Sequence, residues 1–151
     1  MKSVQQALKK NCKEIAVGYP KGNKNVTQIN STYAAQGHDV SILQVAVWNN
    51  FGTKTIPRRP FMDQAEPKLQ VMWHQLLKAT AKKINTNPAV LDTVMQAAAN
   101  RAEGIVRNEI DNGGFVPNAP YTVRKKGSAQ PLIDKGDLRK YAAAVIRPRT
   151  K

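Results

Sequence analysis

Residues 48–61, Trp-Asn-Asn-Phe-Gly-Thr-Lys-Thr-Ile-Pro-Arg-Arg-Pro-Phe, restrict the fold of this chain more than any other stretch. Pro57 and Pro60 fix their own φ and bias Ile56 and Arg59 toward extended backbone. Phe51 is the last apolar residue of a helical pattern, and Gly52 stands where a left-handed C-terminal cap belongs. The stretch therefore reads as a helix end, a stiff turn and the start of the next helix. A segment this rigid sets the angle between two packed elements. Ile56 and Phe61 are expected to point inward, and Arg58 and Arg59 to stay in water or meet an anion. Phe51, Gly52, Ile56, Pro57, Pro60 and Phe61 are assigned mainly to folding.

The flanking patterns are helical. Ser41-Ile42-Leu43-Gln44 is a capping box, in which the Ser41 hydroxyl accepts from the Gln44 amide and the Gln44 side chain reaches back. Ile42, Val45, Ala46 and Asn49 follow on one side, widened by Leu43, Val47 and Trp48, so the spacing predicts a helix to about Phe51. Beyond the turn, Ala65, Leu69, Met72, Trp73, Leu76, Leu77, Ala81 and Ile84 recur at three- and four-residue steps, which predicts an amphipathic helix over Asp63–Asn85. An early start from Pro60 with a kink at Pro67 is expected. Asn87-Pro88 reads as a cap followed by proline at the first helical position. Val90, Leu91, Val94, Met95, Ala98, Ala102, Ile105, Val106 and Ile110 continue the pattern. Alanines 97, 98, 99 and 102 leave room for a close neighbour, and Asp111-Asn112-Gly113-Gly114 ends the helix.

The rest is shorter. Residues 2–11 have helical spacing, and Ile15-Ala16-Val17 reads as a strand running into a turn at Gly18-Tyr19-Pro20. Residues 20–39 are polar and predict a long loop with a weak strand near Val26–Ile29. The three prolines and basic run within 115–131 predict an extended arm or hairpin, at about 113–131 overall. Leu132-Ile133-Asp134-Lys135-Gly136-Asp137-Leu138 predicts a turn and a short helical segment, with Leu132 and Leu138 buried around Gly136. Tyr141–Arg147 predicts a strand ending at Pro148, although its three alanines leave a continued helix open. The sum is one α+β domain over residues 1–151, with two or three long helices packed on a small antiparallel sheet and extended loops or arms.

The charge is lopsided: 24 Lys and Arg against 10 Asp and Glu, a formal +14. Residues 1–25 carry six Lys and one acid, and residues 121–151 carry nine basic residues and two acids, so both ends are basic. Such a surface gathers near polyanions, whether nucleic acid, an acidic protein or anionic lipid. Cys12 is the single cysteine, which excludes an internal disulfide and suits a reducing compartment. No stretch has signal-peptide or membrane-span character. Enzyme chemistry finds little support. His38 and His74 stand in unrelated contexts, Glu103 and Glu109 do not share a helix face, and Asp111 does not complete a metal set. No P-loop or dinucleotide fingerprint is present, so no catalytic residue, cofactor or metal is expected. A small basic DNA-binding regulator is the rival from another class; the turn at 52–60 is too long and too proline-rich for a helix-turn-helix.

Asn50-Phe51-Gly52-Thr53 with Ile56-Pro57-Arg58-Arg59-Pro60-Phe61, and far downstream Pro120-Tyr121-Thr122-Val123-Arg124-Lys125-Lys126-Gly127-Ser128 followed by Pro131-Leu132-Ile133-Asp134-Lys135-Gly136-Asp137-Leu138-Arg139, form two ordered blocks separated by two long helical patterns. In this arrangement the chain resembles the neck and tail-completion proteins of tailed bacteriophages over roughly residues 44–147. Asn49-Asn50 stands where that family often has Asn-Glu, and Lys135 where it often has Thr. The resemblance implies a non-enzymatic virion protein, assembled in the host cytoplasm, that forms a homo-oligomeric ring of six or twelve copies. Such a ring completes the tail and joins it to the head-side connector, touching adaptor, tail-terminator or tail-tube proteins, with DNA passing through the lumen and no membrane involved. A tail terminator or a head-side adaptor is an alternative with the same size and charge. Arg58, Arg59, Arg124, Lys125, Lys126, Arg147 and Arg149 are the candidate contacts to lumenal DNA or a neighbouring subunit, because phosphate contacts hold a strand without reading it.

Overall fold

The computed structural model describes residues 13–20, 27–87 and 89–149. In chain order these form β1 (Lys13–Gly18), α1 (Ser31–Ala34), α2 (Ile42–Phe51), α3 (Phe61–Thr86), α4 (Val90–Asn112), α5 (Pro120–Lys126), α6 (Asp137–Tyr141) and β2 (Ala143–Pro148). The architecture is α+β, with long helices packed together beside a two-stranded antiparallel sheet. The helix expected over 2–11, and Cys12, lie outside the described residues.

The capping box forms as its sequence requires. Ser41 Oγ accepts from the Gln44 amide at 3.2 Å, and the Ser41 amide donates to Gln44 Oε1 at 2.8 Å. α2 then buries Ile42, Val45 and Ala46 and ends at Phe51. Gly52 caps α2, its amide donating to the Trp48 carbonyl, with a positive φ of 77° that favours glycine, but its ψ of 169° departs from the expected left-handed cap. The Thr53 hydroxyl closes the turn, accepting from the amides of Thr55 and Ile56. α3 starts early, at Phe61, with Pro67 inside it. Pro60 supplies no side-chain cap to α3. Asn50, at the end of α2, does so across the turn: its carbonyl oxygen accepts from the Met62 amide at 3.0 Å.

α3, about 39 Å long at 1.5 Å per residue, runs against α4. Ala98, Ala99 and Ala102 are buried in α4, which is where small side chains allow close approach; Ala97 faces solvent. The α3–α4 junction differs from its expected form. Asn87 ends α3 through its own amide, its side chain accepts from the Ala89 amide at 3.1 Å, and α4 begins at Val90. Pro88 is outside the described residues. The sheet pairs Ile15 with Ile146 and Val17 with Ala144. It is tied to α4 at both ends, by Lys13 to Asp92 at 2.5 Å and by the Ala144 amide to Glu103 at 3.3 Å. Tyr141, expected in the strand, closes α6 instead.

The core joins Ile42, Val45 and Ala46 of α2 to Phe61 and Ala65 of α3, Val106 and Ile110 of α4, and Leu132, Leu138 and Ala142. Phe61 is fully buried, with Tyr19 edge-on to it at 6.3 Å. The Tyr19 hydroxyl donates to the Leu138 carbonyl at 2.6 Å, and burial holds this phenol far above its ordinary pKa. Arg107 reaches from α4 to the carbonyls of Arg139, Lys140 and Ala142 at 3.1–3.4 Å, satisfying the last turn of α6. That bond set fixes α6, and with it Leu138, against the helical layer.

Two regions depart from their expected form. Within residues 27–40 the bridge of Ile29 to Ser41 falls where the weak strand was expected, but the loop after it holds the short helix α1, with Asn30 Oδ1 accepting from the Thr32 amide. The extended arm is also corrected, because Pro120–Lys126 is helical. Pro120 occupies the first helical turn and Gly127, at φ 72° and ψ 10°, forms a left-handed cap, so the segment has both punctuation marks of a helix.

Candidate functional site

The two sequence blocks, some sixty residues apart in the chain, face each other across one cleft of about 670 Å³. One wall is the proline-rich turn, through Ile56, Pro57 and Arg59. The opposite wall is α5, through Tyr121, Thr122, Lys125 and Lys126. Leu132, Asp134, Lys135, Asp137 and Leu138, from the segment that leads into α6, contribute to the base, and Tyr33 and Gln36 close the side near α1. Two smaller hollows are both bordered by Lys68 and Met72, one between α3 and α4 and the other along α3.

Arg59 is the unexpected member. It was expected in water or against an anion, and it is 5% exposed. Its Nε donates to the Val116 carbonyl at 3.2 Å, one terminal nitrogen to Asn49 Oδ1 at 3.2 Å, and the other to Asn118 Oδ1 at 2.9 Å. All three acceptors are neutral, and among the described residues no carboxylate pairs with this guanidinium. Burial lowers its pKa, because removing water disfavours the charged form. Asn118 is itself buried and donates to the Gln130 carbonyl at 3.1 Å, so the Arg59 network joins the turn to both ends of the α5 segment. The reason Arg59 is held is geometric. Its backbone amide bonds the Asn49 carbonyl at 2.7 Å, which turns the side chain inward between α2 and residues 116–118.

Its neighbour behaves oppositely. Arg58 is exposed and pairs with Asp63 in the first turn of α3. The Asp63 carboxyl is held below its ordinary pKa, first by the hydrogen bond from Asn50 and then by Arg58. Lys126, across the cleft, is half-buried; burial pushes its ammonium pKa down, Asp134 opposes that, and the charge of Arg59 adds to it. Asp134 also accepts from the Thr32 hydroxyl. Lys125 reaches Gln36 at 3.5 Å.

Of the seven basic residues singled out in the sequence, the cleft brings together Arg59, Lys125 and Lys126. Arg124 is exposed on α5, and Arg147 lies on β2, bound to Glu14 at 2.7 Å. Arg149 follows the sheet and is exposed. The seven therefore do not form one continuous contact surface. Phe51 requires a second correction. It is 67% exposed and does not stabilise the core, because α2 turns the Ile42–Val45–Ala46 side inward and leaves Val47 and Phe51, four residues apart, outward. Phe61, Leu132 and Leu138 are buried as expected, Gly136 adopts the left-handed conformation before α6, and Ile56 is half-buried. Asn49, Asn50 and Asn118 are the residues that sequence reasoning passed over as parts of the site. The advance signal for Asn49 and Asn50 is an Asn-Asn pair at the end of an apolar helix face; Asn118 has none in its local pattern.

Among the described residues, no three His, Cys, Asp or Glu side chains are grouped to hold a metal ion, and no helix is long and apolar enough to cross a membrane. His38 is exposed; His74, also exposed, bonds the Gln70 carbonyl through Nδ1 at 2.8 Å. Compared with protein families, with characterised proteins and with solved structures, the chain has no match.

Proposed function

We propose that this protein is a structural subunit of a tailed-bacteriophage neck, whose copies close into a ring that completes the tail and joins it to the head-side connector. The observation that carries the proposal is the cleft, where both blocks behind the family resemblance become a single surface feature. Its surroundings are those of a contact surface. Tyr121 in its lining is 68% exposed, and Val116 beside the Arg59 network is 56% exposed. Large apolar side chains concentrated near one site mark interaction surfaces more often than catalysis. The +14 charge supports a place beside a polyanion, either lumenal DNA or acidic neighbours. Work of this kind needs neither catalyst nor cofactor. In a ring, the patch on one subunit meets a different patch on the next, which suits a cleft on one side and exposed Val47 and Phe51 on another.

The test is direct. Negative-stain images of the purified protein should show closed rings, and the protein should be present in purified virions. Replacing Arg124, Lys125 and Lys126 together by Glu should lower the yield of joined, infectious particles while the isolated subunit keeps its helical circular dichroism. Normal joining by that variant would remove the basic triplet from the account, and absence of the protein from virions would remove the proposal itself. A dimer bound to one operator sequence would favour the regulator reading.

A further inference from the structure

The cleft holds more positive charge than its own carboxylates balance. Arg59, Lys125, Lys126 and Lys135 line it against Asp134 and Asp137. Arg59 is desolvated, and its three protein bonds leave two of the five guanidinium N–H donors without a protein acceptor among the described residues. A buried cation held only by neutral oxygens gains strongly from a carboxylate brought alongside it. Next to these charges the cleft lining also offers apolar surface, from Ile56 and Pro57 on the turn, Pro131, and the exposed ring of Tyr121 on α5.

We infer that the cleft is a receptor for an acidic segment of another polypeptide, with an aspartate or glutamate side chain seated between Arg59 and Lys126 and an adjoining apolar side chain held between Ile56 and Tyr121. The inference deepens the assembly reading, and rests on it only for where that polypeptide comes from, namely an adjacent protein of the virion. Two observations choose the occupant. A DNA backbone is disfavoured because Arg59 is recessed at 5% exposure and because Asp134 and Asp137 would repel a dense row of phosphates, whereas they tolerate a single carboxylate. A second copy of this chain is disfavoured because its acids are already committed. Six of the ten form ion pairs, namely Glu14, Asp63, Asp92, Glu103, Glu109 and Asp111. Two more line the cleft itself, which leaves only Asp39 and Glu66 for a neighbour.

The test uses the full chain and fluorescein-labelled octapeptide pools in which glutamate is fixed at each position in turn, with glutamine pools as the control and labelled dT12 as a third probe. Fluorescence anisotropy should show the best glutamate pool binding about tenfold tighter than its glutamine counterpart. Lys126→Gln and Tyr121→Ala should each weaken that pool by about fivefold, with no loss of thermal stability, while dT12 binding stays the same. Equal binding of glutamate and glutamine pools would overturn the inference. So would competition between dT12 and the peptides with the same losses in both variants, which would make the cleft a nucleic-acid site. Self-association abolished by the Asp39→Asn, Glu66→Gln double variant and blocked by the peptides would place a second copy there instead. Peptide binding by a protein absent from virions would sink the neck reading and leave the cleft intact; rings without peptide binding would do the reverse.

Discussion

The two walls of the cleft carry nearly the same chemistry and put it to different use. The proline-rich turn carries Arg58 and Arg59 and leads into Phe61 of α3, and α5 carries Tyr121, Arg124, Lys125 and Lys126; of these, Arg59, Tyr121, Lys125 and Lys126 line the cleft. On the turn, Phe61 is fully buried and Arg59 is 5% exposed, locked to Asn49, Asn118 and the Val116 carbonyl. On α5 no residue is buried, and Tyr121 stands in solvent. One wall is therefore part of the fold, and the other is a surface set against it. A basic or aromatic side chain takes its role from its degree of burial and its partners, and residue type alone does not distinguish the two.

The comparison breaks most visibly at Phe61. Phe61→Ala should destabilise the protein by about 3–5 kcal/mol, read as a lowered urea midpoint, whereas Tyr121→Ala should leave the midpoint in place. A Phe61 variant as stable as the parent would show that the turn does not anchor the core. Arg59→Met comes next. It removes a desolvated charge but strands the oxygens of Asn49, Asn118 and Val116, so a loss of about 1–3 kcal/mol is expected, partly recovered because the open cleft admits water to those acceptors. Arg124→Gln, by contrast, should be neutral in the same denaturation series.

Phe51→Ala sharpens the contrast within the turn's own sequence. With its ring 67% exposed, the change should move stability by no more than about 0.5 kcal/mol. Sedimentation of the purified protein should nevertheless show weaker self-association. Stability loss without any change in association would return Phe51 to the folding role its sequence suggested.

The smallest effect concerns pH. Asp63 has its folded pKa depressed by Asn50 and Arg58, so its contribution to stability is present above the ordinary carboxylate range and fades as pH falls through the folded pKa. A carbon-13 NMR titration should place the Asp63 midpoint below that of a free aspartate, and Asn50→Ala should move it upward. A midpoint indifferent to Asn50 would mean that Arg58 alone holds the charge. Lys126 is the counterpart on α5, with its pKa lowered by burial and only partly restored by Asp134. Because its folded pKa lies below its unfolded one, charged Lys126 weighs against folding at neutral pH. That weight lifts as pH rises through the folded pKa.

Much of the scaffold was legible in local pattern. The capping box at Ser41, the apolar periodicity of α3 and α4, the glycine pair after Asn112 and the buried leucines 132 and 138 all act within one or two helical turns. Short-range rules suffice there. The α5 helix was legible too, in Pro120 and Gly127, but the basic run and three prolines around it argued for an extended arm. What could not be read is which chain segments meet. Asn50 caps a helix twelve residues away, and Arg59 finds Asn118 fifty-nine residues away.

The amino-acid sequence by itself determined the three longest helices α2, α3 and α4, the stiffness of the turn and the surplus of positive charge, since each depends on backbone geometry or on counting. Only the tertiary structure decided that Arg59 is inside, that Phe51 is outside, and that two distant blocks line one cleft. Those outcomes depend on the angle at which α2 leaves the turn and on the packing of residues 116–138 against it. Burial is a property of the whole packed arrangement, set by neighbours that no window of adjacent residues contains.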